Sequence, residues 1–149
     1  MDWEIKRVNL AKVEHPHFSG AMKLDRLLFG QAHACHLPGE IRTKHRPSLF
    51  VALAGEQVVG FKLGYERKPG HYYSWMGGVD PDYRGKGIAR ALMEFQHSWL
   101  KSEGYKGLRT QTKNQWQEMI ILNLKSGFQI IGTFTDDEGE TKIIMEKAL

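Results

Sequence analysis

Six consecutive residues, Arg84-Gly85-Lys86-Gly87-Ile88-Ala89, set two cations and three small residues at the start of an amphipathic run. A helix N-terminus carries unpaired N–H groups and a partial positive charge. A glycine turn leading into it lets an anion approach those donors closely. The chemistry this spacing suits is therefore the seating of a phosphate-bearing ligand. It is not a nucleotide P-loop, because no G-x-x-x-x-G-K-[ST] string is present. It is not a dinucleotide fingerprint either, since Arg90 stands where a small third residue is needed.

A second chemical string is "HACH", with His33, Cys35 and His36 close together and His45 further on. Three such side chains could seed a zinc site, but closed sites use four ligands, commonly as two spaced pairs. No metal is expected. Near the middle of the chain, Glu66 follows a strand-like run and Tyr73 lies in an aromatic one, so both are candidates for proton transfer. Asp80, followed by Pro81, reads as turn chemistry. His15 and His17 around Pro16 read as a loop.

The elements that must position these groups can be read from periodicity. Trp3 to Val8 alternates as a strand, and Phe18, Met22, Leu28 and Phe29 mark a helix from His17 to Phe29 that Gly30 ends. A short helix and a loop follow up to Pro47. Leu49–Leu53 and Val58–Tyr65 form a hairpin, "ERKPGH" a second turn, and "HYYSWMGGV" a third strand. Gly77 and Gly78 there signal a bulge or a close backbone approach.

After the glycine loop, Ile88, Leu92, Phe95 and Trp99 define one face of a helix, with Arg90, Glu94, His97 and Lys101 off it. "GLRTQT" is a strand, "WQEMIILNLKSG" an apolar helix, and the chain closes with a hairpin around the acidic "DDEGE". This order predicts an α/β fold with a mixed sheet flanked by helices.

With 149 residues, 41% hydrophobic and 26% charged, the composition fits one globular domain over residues 1–149. The lone Cys35, the absence of a signal-like apolar start and the lack of any apolar run near ~20 residues lead to the expectation of a cytoplasmic protein without membrane contact. The net charge of +4 suits anionic ligands in general. Basic residues are dispersed among acidic ones, so no nucleic-acid partner is expected.

The pattern [Q/R]-x-x-G-x-[G/A], filled by Arg84, Gly87 and Ala89, resembles the pyrophosphate-binding motif of the GNAT superfamily of acyl-CoA N-acyltransferases. The longer stretch "GGVDPDYRGKGIARALM" and the later "LNLKSGFQIIG" resemble the family's two motifs, and the element order matches along essentially the whole chain. The resemblance implies a mostly antiparallel central sheet of about six to seven strands with flanking helices. It also implies a splayed parallel pair of strands at the cofactor site.

It implies acetyl-CoA as co-substrate, with its diphosphate held by Arg84, Gly85, Lys86, Gly87, Ile88 and Ala89. Gly77, Gly78 and Val79 would meet the pantetheine arm, and the Val79 backbone would polarise the thioester carbonyl. The implied reaction is direct attack by a primary amine of a small molecule or peptide, with Glu66 and Tyr73 as candidate catalytic groups. Many relatives carry a Tyr as general acid in "LY-x-K-x-GF"; here Asn123 stands at that place, where it would bind the cofactor by hydrogen-bonding its sulfur, the pantetheine or a water, and an amide is no proton donor of useful acidity. Trp116 also stands where relatives often carry an Asn. His33, His36 and Glu40 would border the acceptor pocket. Asn123 motivates the alternative of a non-catalytic, acetyl-CoA-binding regulatory module. A homodimer is compatible with either.

Overall fold

The computed structural model describes residues 2–10 and 15–149. In chain order the elements are β1 (Glu4–Val8), α1 (Pro16–Phe29), α2 (Gln31–Arg42), β2 (Ser48–Ala54), β3 (Gln57–Lys68) and β4 (His71–Val79). A 3₁₀ turn at Pro81–Tyr83 follows, then α3 (Ile88–Ser102), β5 (Gly107–Lys113), α4 (Gln117–Lys125), β6 (Gln129–Thr135) and β7 (Thr141–Ala148).

The seven strands form one sheet in the order β1-β2-β3-β4-β5-β7-β6. Every neighbouring pair is antiparallel except β4 and β5. That parallel pair is short, running only from His71 with Gly107 to Ser74 with Thr110. The mixed α/β architecture expected from the sequence is the one observed.

The two faces of the sheet are covered by different helices, as strand alternation requires. Leu49, Val51 and Leu53 of β2 point to one side, with Phe18 and Leu24 of α1 and Leu37 and Ile41 of α2. Phe50 and Ala52 point to the other, with Ile88 and Leu92 of α3. Further along that second face, Met93 and Leu100 of α3 pack with Leu108, Phe128 and Met145, and α4 adds Ile120 and Leu122.

Several local readings are corrected. His15 and His17 do not lie in a loop: the His15 imidazole caps α1 by accepting the His17 amide at 3.1 Å, and Pro16 occupies the first turn. The short helix expected after Gly30 is α2, and it runs from Gln31 to Arg42 with Pro38 inside it. β3 continues through Glu66 to Lys68, so the second turn shrinks to Pro69-Gly70. On α3 the buried set is Ile88, Leu92, Met93, Gln96, His97 and Leu100, while Phe95 is 39% exposed at the margin of that face. His97 therefore belongs to the inner face. α4 is less buried than its composition suggests, with only Asn123 fully inside.

The bulge in β4 falls at Trp75. Leu63 pairs with Met76 and Gly64 with Ser74, which leaves Trp75 without a partner on β3. Gly77 and Gly78 serve close approach instead. A Cβ on Gly77 would stand 2.6 Å from the Phe61 carbonyl oxygen, and one on Gly78 would strike the Leu28 side chain.

Candidate active site

The Trp75 bulge re-aims β4 at the point where its pairing with β5 stops. Beyond Ser74 and Thr110 the two strands diverge. The wedge between them opens into a cleft of 1210 Å³. Its lining includes Arg84, Gly85, Gly87, Ile88 and Ala89 of the glycine loop, and Leu28, Phe29 and His33 of α1 and α2.

At the glycine loop, Asp80 organises the approach: its carboxylate accepts the Asp82 amide at 2.9 Å and tightens the Pro81–Tyr83 turn. Gly85 and Gly87 take φ of 76° and 83°, the left-handed region that favours glycine. A Cβ at either position would meet no described atom within 4 Å, so both face open space. Among the described residues no side chain caps α3 at Gly87. The Ala91 amide donates to the Gly87 carbonyl, so Ala91 is the first helical donor and the amides of Ile88, Ala89 and Arg90 have no intrahelical acceptor. The loop is a cradle of free donors without side-chain bulk, and it fits a diphosphate. Lys86 lies outside the cleft wall, with its ammonium 5.8 Å from the centre of the Tyr83 ring.

Val79 links this cradle to the wedge. The Asp80 amide donates to Val59 on β3 at 2.8 Å. By alternation, the Val79 N–H and C=O point away from β3, into the space that β5 has left. The Arg84 guanidinium donates to the Val79 carbonyl at 3.3 Å. Arg84 thus ties the loop to the strand end.

The Leu28, Phe29 and His33 wall is built by α1 and α2. Gly30, at φ 95°, joins the helices, and the junction brings Asp25 and His33 together at 2.8 Å between Oδ2 and Nδ1. Asp25 is fully buried, and among the described residues its Oδ1 has no partner. His33 is 40% exposed and faces the cleft. When Asp25 is ionised its oxygen only accepts, so Nδ1–H donates, and in a neutral imidazole Nε2 then carries the lone pair. The Phe29 and His33 rings lie 5.4 Å apart, and Phe29 also reaches toward Gly78 on β4.

The expected catalytic residues are distributed unevenly. Tyr73 lines the cleft beside Tyr65, and burial pushes its phenol up to about 12, so it stays protonated. Asn123 reaches the cleft wall, but its Nδ2 donates to Met145 Sδ at 3.6 Å. Glu66 is not brought into the cleft. It pairs with His45 at 3.0 Å and Arg46 at 3.8 Å, fastening the segment before β2 to the end of β3. His36 and Glu40 are exposed on α2, away from the cleft lining. Among the described residues no three His, Cys, Asp or Glu side chains are placed to hold a metal ion, and Cys35 is exposed.

Sequence reasoning missed two features. Asp25 read as one polar residue of a helix, although its place among buried Ala21, Met22 and Leu24 marks it as unusual. Lys62 lines the cleft opposite Gly77, where desolvation lowers its ammonium to about 8. The signal was a lysine amid the apolar alternation of "VVGFKLG".

Comparison with known proteins agrees with this geometry. The sequence profile of the acetyltransferase (GNAT) family matches residues 16–121. Acetyltransferase SG1711 of Sodalis glossinidius (strain morsitans) is 31% identical over 93 residues, 61% of this chain and 64% of that protein. The match thus spans less than two thirds of that relative's length.

Among solved structures, the ribosomal-protein-S18-alanine N-acetyltransferase of Escherichia coli superposes with a TM-score of 0.78 at 18% identity, covering 98% of this chain and 93% of that one. IAA acetyltransferase of Bacillus cereus ATCC 14579 gives 0.70 at 19%, covering 99% of each. A Bacillus anthracis str. Ames protein in complex with acetyl coenzyme A gives 0.65 at 22%, covering 74% of this chain and 67% of that one. These likenesses share the fold. No helix among the described residues is long and apolar enough to cross a membrane. With a family profile that takes in both the glycine loop and the wedge between β4 and β5, this chain belongs to the acetyltransferase (GNAT) family.

Proposed function

We propose that this protein is an N-acetyltransferase that moves an acetyl group from acetyl coenzyme A to a primary amine of a small molecule or peptide. The observation that carries the reading is one cleft whose lining takes in both the glycine loop before α3 and His33, the partner of the buried Asp25. When bound, acetyl coenzyme A supplies an acetyl group activated as a thioester.

In this reading the amides from Gly85 to Ala89 hold the diphosphate. The diverging strands β4 and β5 receive the pantetheine arm. The Val79 N–H donates to the thioester carbonyl, where negative charge grows as the amine attacks. An ammonium is no nucleophile, so one proton must leave first. His33 Nε2 accepts it, and Asp25 holds the ring in the tautomer that leaves Nε2 free. The amine forms the new N–C bond as the C–S bond breaks, and its second proton goes to the departing thiolate. The Tyr73 phenol stays protonated and donates a hydrogen bond within the same cleft. Asn123 has no proton of useful acidity to give.

The test is thiol release from acetyl coenzyme A across a panel of small amines, amino acids, polyamines and peptides, paired with calorimetric acetyl coenzyme A binding. Turnover above the hydrolysis background with at least one class supports the reading. Tight binding without turnover on any class favours the second reading, a non-catalytic acetyl-CoA-binding module. The specific observation on that side is Asn123, whose Nδ2 is directed at Met145.

A further inference from the structure

Lys62 is a cation without a counter-charge, and the fold leans it toward the wedge. On β3 it pairs with Phe50 of β2 on one side and with Gly77 of β4 on the other. Phe50 packs with Ile88 and Leu92, so Lys62 stands on the α3 face of the sheet. Gly77 lies on β4 beyond Ser74, where pairing with β5 has stopped. A Cβ on Gly77 would stand 3.6 Å from Lys62 Cγ, so the lysine stem leans over a residue that has no side chain. That four-carbon stem is long enough to cross one strand spacing of about 4.8 Å. Lys62 lines the cleft, and among the described residues it has no ion-pair or hydrogen-bond partner.

Two further polar groups on the same face are unsatisfied. Thr112 lies on β5 beyond Thr110, the last residue paired with β4. Its partner Ile143 packs with Met93 of α3, which puts Thr112 on the α3 face as well. Thr112 is 2% exposed and lines the cleft, and its Oγ1 has no partner among the described residues. Asn123 of α4 lines the same cleft, with its amide given only to the Met145 thioether, a weak acceptor. Of these three groups Lys62 alone carries charge and a proton of useful acidity.

We infer that Lys62 meets the coenzyme A sulfur as the C–S bond breaks, pairing its ammonium with the forming thiolate and giving it a proton. This role rests on the acetyl-transfer reading above. The electron pair of the C–S bond goes to sulfur, and one Nζ proton follows it. The second proton shed by the newly acylated nitrogen restores Lys62, so the net transfer runs from amine to sulfur. Thr112 Oγ1 donates a hydrogen bond to the same sulfur. The counter-charge exists only once the bond is breaking, so the attraction favours the transition state over the ground state.

The surroundings suit the role. Desolvation lowers Lys62 to about 8, near the roughly 8.5 of a cysteine thiol, so at neutral pH it holds a proton that a thiolate can take. On the same face, burial keeps the His97 imidazole of α3 neutral and the Tyr72 phenol of β4 protonated. Lys147 of β7 lies 3.0 Å from the His97 ring. Glu118, in the first turn of α4, lines the cleft but is exposed.

The first test needs no acceptor. The ultraviolet absorbance of the coenzyme A thiolate is followed against pH on the full chain, as the difference from desulfo-coenzyme A, beside calorimetric titration of both. Bound to the wild type, the thiol ionises about 1–3 pH units below free coenzyme A. Lys62→Met keeps its circular-dichroism spectrum and binds coenzyme A, and the bound thiol returns to its free value. Lys62→Arg keeps the cation and the shift but holds its proton. With a reactive amine its kcat falls about 10²-fold or more while KM for acetyl coenzyme A is unchanged. An unshifted thiol on wild-type protein that binds coenzyme A overturns the inference and leaves the acetyl-transfer reading standing. So does a shift that survives in Lys62→Met. Wild-type kcat in Lys62→Arg overturns the proton transfer. Failure of the wild type to bind coenzyme A overturns both readings.

Discussion

Replacing Gly87 tests the diphosphate seat without any knowledge of the acceptor. Gly87 has φ 83° and ψ 11°, and a Cβ there would meet no described atom within 4 Å. Alanine therefore introduces left-handed strain and nothing else, at about 1–2 kcal/mol. For a chain of this size about 1 kcal/mol corresponds to roughly 2–4 °C in Tm, so Gly87→Ala lowers Tm by roughly 2–8 °C. The amide donor is kept, and acetyl coenzyme A affinity changes by less than about tenfold on the scale of one perturbed contact.

Gly87→Glu carries the same strain and adds a negative charge at the mouth of the cradle. A carboxylate ~5 Å from one phosphate charge, at an effective dielectric of about 20, is repelled by roughly 3 kcal/mol. That is a loss of about two orders of magnitude in Kd. Scanning calorimetry and titration calorimetry with acetyl coenzyme A, run on both variants, separate the two effects. The variants should share a Tm loss and differ about a hundredfold in Kd, with the gap narrowing as salt rises. If Gly87→Glu binds as tightly as Gly87→Ala, the diphosphate does not sit on this loop and the assignment of the cleft fails.

Three other outcomes follow from the same coordinates. Once a reactive amine class is found, His33→Gln and Asp25→Asn each lower kcat by about 10²-fold or more, in the range general bases supply, while acetyl coenzyme A affinity stays unchanged; equal kcat would remove the His–Asp pair from the chemistry. His97 is held down to about 3 by burial and by the nearby Lys147 and Lys62. Its folded value lies below the ordinary 6.5, so the unfolded chain binds more protons between the two. Its contribution to stability is complete above about pH 6.5 and is lost as pH falls toward 3, at up to about 1.4 kcal/mol per pH unit. Urea titrations between those limits should show a shallower pH dependence for His97→Leu than for the wild type. Gly64→Ala should cost about 3 kcal/mol, because its Cβ would strike the Tyr72 ring and stand 2.5 Å from the Tyr73 carbonyl oxygen. Gly139→Ala, at φ 80° with open space around it, should cost only about 1 kcal/mol by denaturant unfolding.

The glycine loop was legible because its determinants are local. Left-handed glycines, a helix start and the strand before it all lie within one short stretch, and sequence records such arrangements directly. Strand register is less local. Gly77 and Gly78 were read correctly as unusual backbone positions, but the bulge depends on how β4 pairs with β3, and it falls at Trp75. α3 shows the same limit from the side of polarity. Gln96 and His97 lie on the buried face because Tyr72, Phe128 and Lys147 surround that part of the helix. Hydrophobic periodicity alone assigns such residues to solvent.

The Asp25–His33 pair was the least legible, and the reason is geometric. Asp25 and His33 are eight residues apart on two different helices, so no helical spacing connects them. They meet because Gly30 turns the chain at φ 95° and α2 folds back beside α1. Glu66 illustrates the converse. As a carboxylate near a strand end it satisfied the sequence criterion for a base, yet the strand runs on and the loop before β2 supplies His45 and Arg46 to neutralise it. A carboxylate held by an arginine and a histidine has a structural reason to be where it is. Asp25 is buried with one oxygen unpartnered among the described residues and the other holding a histidine at the cleft, which is why the proposed mechanism uses it. What separates the two is the partner set that the fold assembles around each residue. The glycine loop needs only the chain's own backbone, whereas the His–Asp pair depends on tertiary contacts.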